Sequence, residues 1–228
     1  EKNKYVAEYI IKEKVEINFP TINTGLFSNH DAETIINENK LENKKYVIVF
    51  PGSGTTFKIW PKEKFAQVID YFIGKGITSL LCGSNGEKEL IDSILEKVEN
   101  KEAVINLVGK TDLQTIMFLL KNSVLYFGSD TGIAHLAKIA FVPTITLYGP
   151  GSPLIHDNGK FWNNLPHKSI TLASYPCRDQ NSFFRRKVLW LKRCTRSLSQ
   201  CKTPGACMSA ITPKEVINTL DSILSLKL

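Results

Sequence analysis

Tyr126-Phe127-Gly128-Ser129-Asp130-Thr131-Gly132-Ile133-Ala134-His135 is the stretch whose reading decides the fold. An apolar run, Val124 to Phe127, ends in a small polar turn. A helix-like segment, Ile133 to Phe141, follows at once, and Pro143 stops it. A second β-type run, Thr144 to Tyr148, then ends in Gly149-Pro150-Gly151. The order is strand, turn, helix, strand, with the polar residues at the C-terminal end of a strand. In open α/β sheets, ligands sit at that place. The first turn of the helix offers unpaired N–H groups and a positive dipole end, which suit a phosphate.

The same alternation extends upstream. Tyr46 to Phe50 and Ile77 to Cys82 read as buried strands, and Val104 to Leu107 as a shorter one. Pro61 opens a helix whose apolar face is Phe65, Val68, Ile69 and Phe72, and Gly74 and Gly76 end it. A second helix is expected from Glu87 to Val98, and a third from the Thr111-Asp112 cap through Leu120. Strands and helices at this spacing imply an α/β fold, a Rossmann-like doubly wound parallel sheet covered on both faces. Crossovers should be right-handed. Downstream, Ser169 to Leu172 reads as a further strand, and Phe183 to Leu191 as a helix. Thr212-Pro213-Lys214-Glu215 has the spacing of a capping box and opens a last helix.

Before residue 45 the pattern is looser. Tyr5, Val6, Tyr9 and Ile10 form an apolar stripe at helical spacing, residues 20–30 read as a linker, and a short helix is expected from Ala32 to Lys40. Residues 1–44 are therefore expected to be a connector, and 45–228 the domain, with a Cys/Arg-rich insertion at 174–210.

The apolar share of 43% and charged share of 22% suit a globular domain with a sizeable core. No apolar run approaches the roughly 18 residues of a membrane span, and Glu1-Lys2-Asn3-Lys4 does not open a signal peptide. The expected location is cytoplasmic. The net charge of +7 favours anionic partners. Basic residues gather at Arg178, Arg185, Arg186, Lys187, Lys192, Arg193 and Arg196, either as a solvated face or as a surface for phosphates or an anionic membrane leaflet. Neither zinc-finger spacing nor an RNP-type motif is present, so no nucleic-acid partner is expected. Cys82 ends an apolar run and reads as a buried small hydrophobe. Cys177, Cys194, Cys201 and Cys207 lack C-x-x-C spacing, so reduced thiols are preferred to a metal site there.

Three polar turns follow successive strands: Gly52-Ser53-Gly54-Thr55-Thr56, Gly83-Ser84-Asn85-Gly86-Glu87 and Gly128-Ser129-Asp130-Thr131-Gly132. Gly-rich turns are common singly. Three on one sheet edge point to a nucleotide or phosphate ligand. Lys58 offers a point charge for a diphosphate, against the reading of a surface lysine packed on Trp60. His135, in the first helical turn, reads as a neutral ring donating to phosphate or as a structural histidine. Asp130 suits loop N–H groups better than phosphate. Glu87 suits a ribose hydroxyl, or simply the helix dipole. The turns match neither a P-loop nor the full G-x-G-x-x-G fingerprint.

Two longer motifs carry a resemblance. Pro51-Gly52-Ser53 with Lys58-Ile59-Trp60-Pro61 resembles the first signature of glycosyltransferase family 9, the lipopolysaccharide heptosyltransferases. Gly128-x-Asp130-Thr131-Gly132-x-x-His135-x-Ala137, continuing to Pro143 and Gly149-Pro150, resembles the second, and Cys207-Met208-x-x-Ile211-x-Pro213-x-x-Val216 the family's tail. The resemblance, over residues 45–220, implies the C-terminal, donor-binding half of a GT-B glycosyltransferase. It implies an ADP-sugar donor, commonly ADP-heptose, a lipid-linked lipopolysaccharide core acceptor, and inverting chemistry without a metal or other cofactor. By motif, Ser53, Gly54, Thr55 and Lys58 would hold the diphosphate from one side and Thr131, Gly132 and His135 from the other. Asp130 would lie beside them and Glu87 near the ribose. Lys58, His135 and Asp130 would act in the chemistry, and the general base would belong to an acceptor half, so this chain alone is expected to bind donor without transferring sugar. Ser174-Tyr175-Pro176-Cys177 lacks the first cysteine of the family's Cys-Pro-Cys-like cluster, which argues against a metal at the cysteines. The alternatives are a GT-B-shaped sugar-nucleotide epimerase and a non-catalytic nucleotide- or glycan-binding module.

Overall fold

The computed structural model describes residues 8–14, 30–157, 166–183 and 186–225. The Tyr5 and Val6 half of the N-terminal stripe, most of the 20–30 linker and Arg185 lie outside them.

Six strands form one parallel sheet: β1 (Tyr46–Phe50), β2 (Thr78–Leu81), β3 (Val104–Asn106), β4 (Leu125–Ser129), β5 (Thr144–Tyr148) and β6 (His167–Thr171). The order is β3-β2-β1-β4-β5-β6. The winding direction therefore reverses between β1 and β4, where Phe50 is in register with Gly128. In open α/β sheets such a reversal leaves a crevice beyond the strand ends.

Alternation along the strands sends side chains to two separate cores. Val47, Val49, Leu125 and Phe127 join one face with the helices α2 (Lys62–Gly74), α3 (Lys88–Leu95) and α8 (Pro213–Leu224). Trp60, Phe65 and Phe72 surround Phe127 there, with ring centroids 5.5 to 6.3 Å from it. Tyr46, Ile48, Leu80 and Tyr126 join the other face with α1 (His30–Glu38), α4 (Leu113–Lys121) and α5 (Gly132–Ile139). Ala32, Ile35 and Leu41 are buried in this second core, and α1 packs on α4, so residues 30–41 contribute to the domain's own packing.

The helix ends follow the sequence. Asp112 caps α4 by accepting from Thr115 N at 2.7 Å. Thr212 and Glu215 form a reciprocal capping box, with Thr212 N donating to Glu215 Oε2 at 2.8 Å. The segment after β6 departs from expectation. Where the apolar periodicity predicts a helix over 183–191, the chain makes a short antiparallel ladder, β7 (Ser182–Phe183) with β8 (Arg186–Lys187), and then a turn. Two short helices, α6 (Pro153–His156) and α7 (Ala206–Ser209), lie in the loops after β5 and before α8. No helix among the described residues is long and apolar enough to cross a membrane.

Candidate active site

The C-terminal ends of the parallel strands carry five loops that interlock in sheet order. Gly109 N, after β3, donates to Gly83 O, after β2, at 2.8 Å. Gly109 has φ +68°, and the Asn85 side chain covers it. From the β2 loop, Glu87 reaches the β1 loop. Its Oε2 accepts from Ser84 N at 2.7 Å and Ser84 Oγ at 2.8 Å, while its Oε1 lies against Gly52. The β1 and β4 loops are joined by Ser129 Oγ donating to Pro51 O at 3.1 Å. Asp130 N donates to Leu147 O at 3.3 Å, and the Asp130 carboxylate lies beside Gly151 in the loop after β5.

This places each predicted residue. Ser53, Gly54 and Thr55 form the loop over β1, at the reversal of the sheet. Lys58 closes the short 3-10 turn Thr56–Lys58 directly after it, and its own N–H bonds Thr55 O at 3.0 Å. The turn packs on α7, and the Trp60 that follows is fully buried with Nε1 donating to Ile211 O at 3.1 Å. Trp60 is therefore occupied by the core. Thr131 is the extended N-cap of α5 and lacks a side-chain cap bond, so the N–H groups of Gly132 and Ile133 open the helix without one. His135 sits one turn in, on the exposed side. Among the described residues no hydrogen bond ties the His135 ring or the Lys58 ammonium. Glu87 serves as the capping acid of the turn after β2 and also lines the β1 loop.

The electrostatics favour a neutral His135. Partial burial pushes its pKa down, Lys138 and His156 push the same way, and Asp130 and Asp157 oppose them. Around Asp130 the reverse holds: burial, and then Asp130 and Asp157, push the Tyr148 hydroxyl well above its ordinary range. The site thus pairs a helix N-terminus and a neutral imidazole with one acidic corner.

Several contributors are not legible in the three turns. Lys138, on α5, is 2% exposed and paired with Asp157 at 2.6 Å. Ser169 Oγ donates to the second Asp157 oxygen, so the pair ties α5 to β6. A lysine that, with His135, interrupts the apolar Ile133–Phe141 run is the signal that marks it. Tyr126, buried in the second core, directs its hydroxyl to Ser129 O at 3.3 Å and so braces the turn from beneath.

Two of the four late cysteines, Cys194 and Cys207, meet the neighbouring loop, and Cys177 is tied to them through Arg196. Cys194 N donates to Pro150 O at 2.8 Å, Arg196 Nη1 donates to Cys177 O at 2.8 Å, and Cys207 lies beside Gly149. Burial, and then the other thiols, raise the pKa of Cys177 and of Cys207. Among the described residues, no His/Cys/Asp/Glu group has the geometry of a metal site. A depression of about 680 Å³ lies at the opposite sheet edge, lined by Lys45, Gly76, Thr78 and Asn100. It has neither the N-terminus of an α-helix nor a Gly-rich turn, so the chemistry points to the interlocked loops instead.

Known proteins share both sequence and shape with this chain. The sequence model of glycosyltransferase family 9 (heptosyltransferase) matches residues 6–185. Lipopolysaccharide heptosyltransferase 3 of Escherichia coli strain K12 is 32% identical over 106 residues, 46% of this chain and 30% of that protein. The solved structure of E. coli ADP-heptose lps heptosyltransferase II has a TM-score of 0.68 at 20% identity, covering 95% of this chain and 57% of that one. E. coli heptosyltransferase WaaC with ADP has a TM-score of 0.56 at 20% identity, covering 84% and 48%. The chain therefore spans less than two thirds of the length of these relatives. The neighbours share the GT-B type of α/β sheet, and the match across 6–185 settles the lineage: this chain belongs to glycosyltransferase family 9, the heptosyltransferases.

Proposed function

We propose that this chain is the donor-binding half of an inverting heptosyltransferase-like enzyme. It would take an ADP-sugar, with a lipopolysaccharide core sugar as acceptor. The observation that carries the reading is that the loops after β1 and β4, which hold Ser53-Gly54-Thr55 and Thr131-Gly132, flank the reversal of the sheet and are joined by the Ser129–Pro51 bond. Family membership and a solved neighbour described with ADP support the same ligand.

In this reading the diphosphate lies between the β1 loop and the N-terminus of α5. An acceptor hydroxyl attacks the anomeric carbon from the face opposite the diphosphate. A base outside this chain takes its proton. The bond from the anomeric carbon to the ADP oxygen breaks, and negative charge grows on the departing diphosphate. Lys58, the Gly132 and Ile133 N–H groups and the His135 ring supply the matching donors. Such prepositioned donors contribute about 3 kcal/mol each where they have been removed singly. Asp130 shapes the turn, and Glu87 presents Oε1 toward a ribose hydroxyl.

Domain organisation belongs to the same reading: residues 1–44 lead in from an acceptor half, their α1 already packed on the donor domain, and the enzyme works in the cytoplasm, peripheral to a membrane that carries its acceptor. Calorimetric titration with ADP and UDP tests the donor claim. ADP should bind in preference to UDP, and Lys58→Ala and His135→Ala should each weaken it about tenfold, as expected for a lost charged hydrogen bond. A UDP preference would favour the epimerase alternative. Binding of neither nucleotide would remove the donor reading.

A further inference from the structure

The basic residues that cluster in the sequence separate into two groups in the structure. Arg178 is 4% exposed and works as an internal brace, its Nη2 donating to Gly151 O at 2.6 Å and Lys192 O at 3.1 Å. Arg196 is clamped by Asp179, at 2.8 and 3.0 Å. Neither is available to a partner's charge. Arg186, Lys187 and Lys192 are exposed, and no ion pair holds them among the described residues. Between them the chain makes a tight turn, with Leu191 N donating to Val188 O at 3.0 Å.

At the two central positions of that turn are Leu189, 77% exposed, and Trp190, 67% exposed. They are among the most exposed large apolar side chains described. Leu191, directly after them, is 2% exposed and anchors the turn. The bonds of Gln180 N to Arg193 O at 3.1 Å and Val188 N to Asn181 O at 2.6 Å brace it on both sides. The turn is thus a supported projection that holds two large apolar groups in water, ringed by uncompensated positive charge.

We propose that the Leu189-Trp190 turn is a membrane-contact element that seats this domain on an anionic lipid surface. The two side chains have complementary parts in such seating. An indole prefers the headgroup region, where its ring is apolar on one side and its N–H finds a partner. Leu189 adds apolar area to the acyl boundary. Arg186, Lys187 and Lys192 face the phosphates, and each basic residue near an anionic leaflet raises partitioning about fivefold. A protein partner is the poorer match, because the charge ring is of one sign and the apolar patch is only two residues wide.

The position of the turn gives it a use. The segment from 178 to 196 is bound to the loop after β5 through Arg178 to Gly151 O and Cys194 N to Pro150 O. Gly151 in turn lies beside the Asp130 carboxylate. The segment that carries the turn and the candidate active site are therefore both anchored to the loop after β5. A membrane bound at Trp190 would hold a lipid-linked acceptor near that loop. Seating itself does not depend on the donor reading.

Vesicle co-sedimentation of the full chain without nucleotide tests the proposal. The chain should bind vesicles of phosphatidylethanolamine with phosphatidylglycerol and leave phosphatidylcholine vesicles largely unbound. The Trp emission should shift to the blue on binding, and this shift should vanish in Trp190→Ala. Leu189→Ala with Trp190→Ala should cut binding at least tenfold while thermal stability and ADP affinity stay as they are, since both side chains are exposed. Arg186→Gln, Lys187→Gln and Lys192→Gln together should abolish the preference for anionic lipid, as should high salt. Binding unchanged in the Leu189/Trp190 variant would overturn the proposal. So would binding to neither vesicle, or self-association that this variant abolishes in place of lipid binding. ADP titration of the same preparation separates this outcome from failure of the donor reading.

Discussion

The Glu87 carboxylate occupies the space that a side chain on residue 52 would need: a methyl group there would lie 1.4 Å from Glu87 Oε1. Gly52 is therefore the seat of Glu87, and the β1 and β2 loops form one surface through that contact. Gly52→Ala would displace a flexible side chain, not backbone, so the fold should survive. What should be lost is the placement of Glu87. Gly52→Ala and Glu87→Ala should weaken ADP binding by similar factors, and the double variant should be little worse than either alone. Additive losses in a calorimetric double-mutant cycle would show that the two residues act separately.

Gly128 poses the opposite problem. A methyl group there would lie 2.3 Å from Phe50 O and 2.9 Å from the Tyr126 hydroxyl. The first obstacle is backbone in the neighbouring strand, at the point where the sheet reverses. Gly128→Ala should therefore cost about 2 kcal/mol or more in denaturant unfolding, the range of overpacked cores, and lower Tm by about 5 °C or more. Gly54→Ala is the control, because nothing lies within 4 Å of a methyl group there. Its stability should stay within about 0.5 kcal/mol of the parent.

These two glycines mark where the sequence is informative. A Gly after each buried run, repeated at βα spacing, shows that backbone or ligand comes close, and the parallel sheet and its functional edge follow from that repetition. Which neighbour comes close is not legible, because Glu87 and Phe50 reach Gly52 and Gly128 through tertiary packing. Charge misleads in a related way. Arg178 resembles its neighbours in sequence, yet bonds to carbonyls of the 151 and 192 segments bury it. The 183–191 segment carries helical spacing, but the short β7–β8 ladder and the Val188–Leu191 turn satisfy its backbone instead. In a segment this short, tertiary context outweighs periodicity.

His167 should give the fold an acid limb. Burial, and then Lys138, lower its pKa from 6.5 to about 4, and its Nδ1 lies 2.9 Å from Thr144 Oγ1. The unfolded chain would take up the proton near 6.5 and the folded chain only near 4. Between those values the unfolded state binds more protons, so stability falls as pH falls. The contribution is complete above pH 6.5 and gone below about 4, a span worth about 3 kcal/mol at most. Urea unfolding across this window should show the slope, and His167→Gln should flatten it relative to the parent. Parallel curves for the two proteins would exclude His167 as its source.

The Lys138–Asp157 pair should behave as a buried ion pair that fixes the motif helix. Lys138 is 2% exposed and Asp157 15%, and Ser169 holds the second carboxylate oxygen. Removing one partner leaves the other's charge with little water, which typically costs about 3 kcal/mol or more. Lys138→Ala and Asp157→Ala should each show a loss of that order in denaturant unfolding. Lys138→Met with Asp157→Leu should regain most of it, since neither charge is then stranded. Because the pair ties α5 to β6, the single variants should also loosen the helix whose N-terminus faces the proposed diphosphate. Their ADP affinity should fall even at temperatures where they remain folded, and the Met/Leu variant should recover stability more fully than affinity. Equal recovery of both would mean that the pair stabilises the domain without positioning α5.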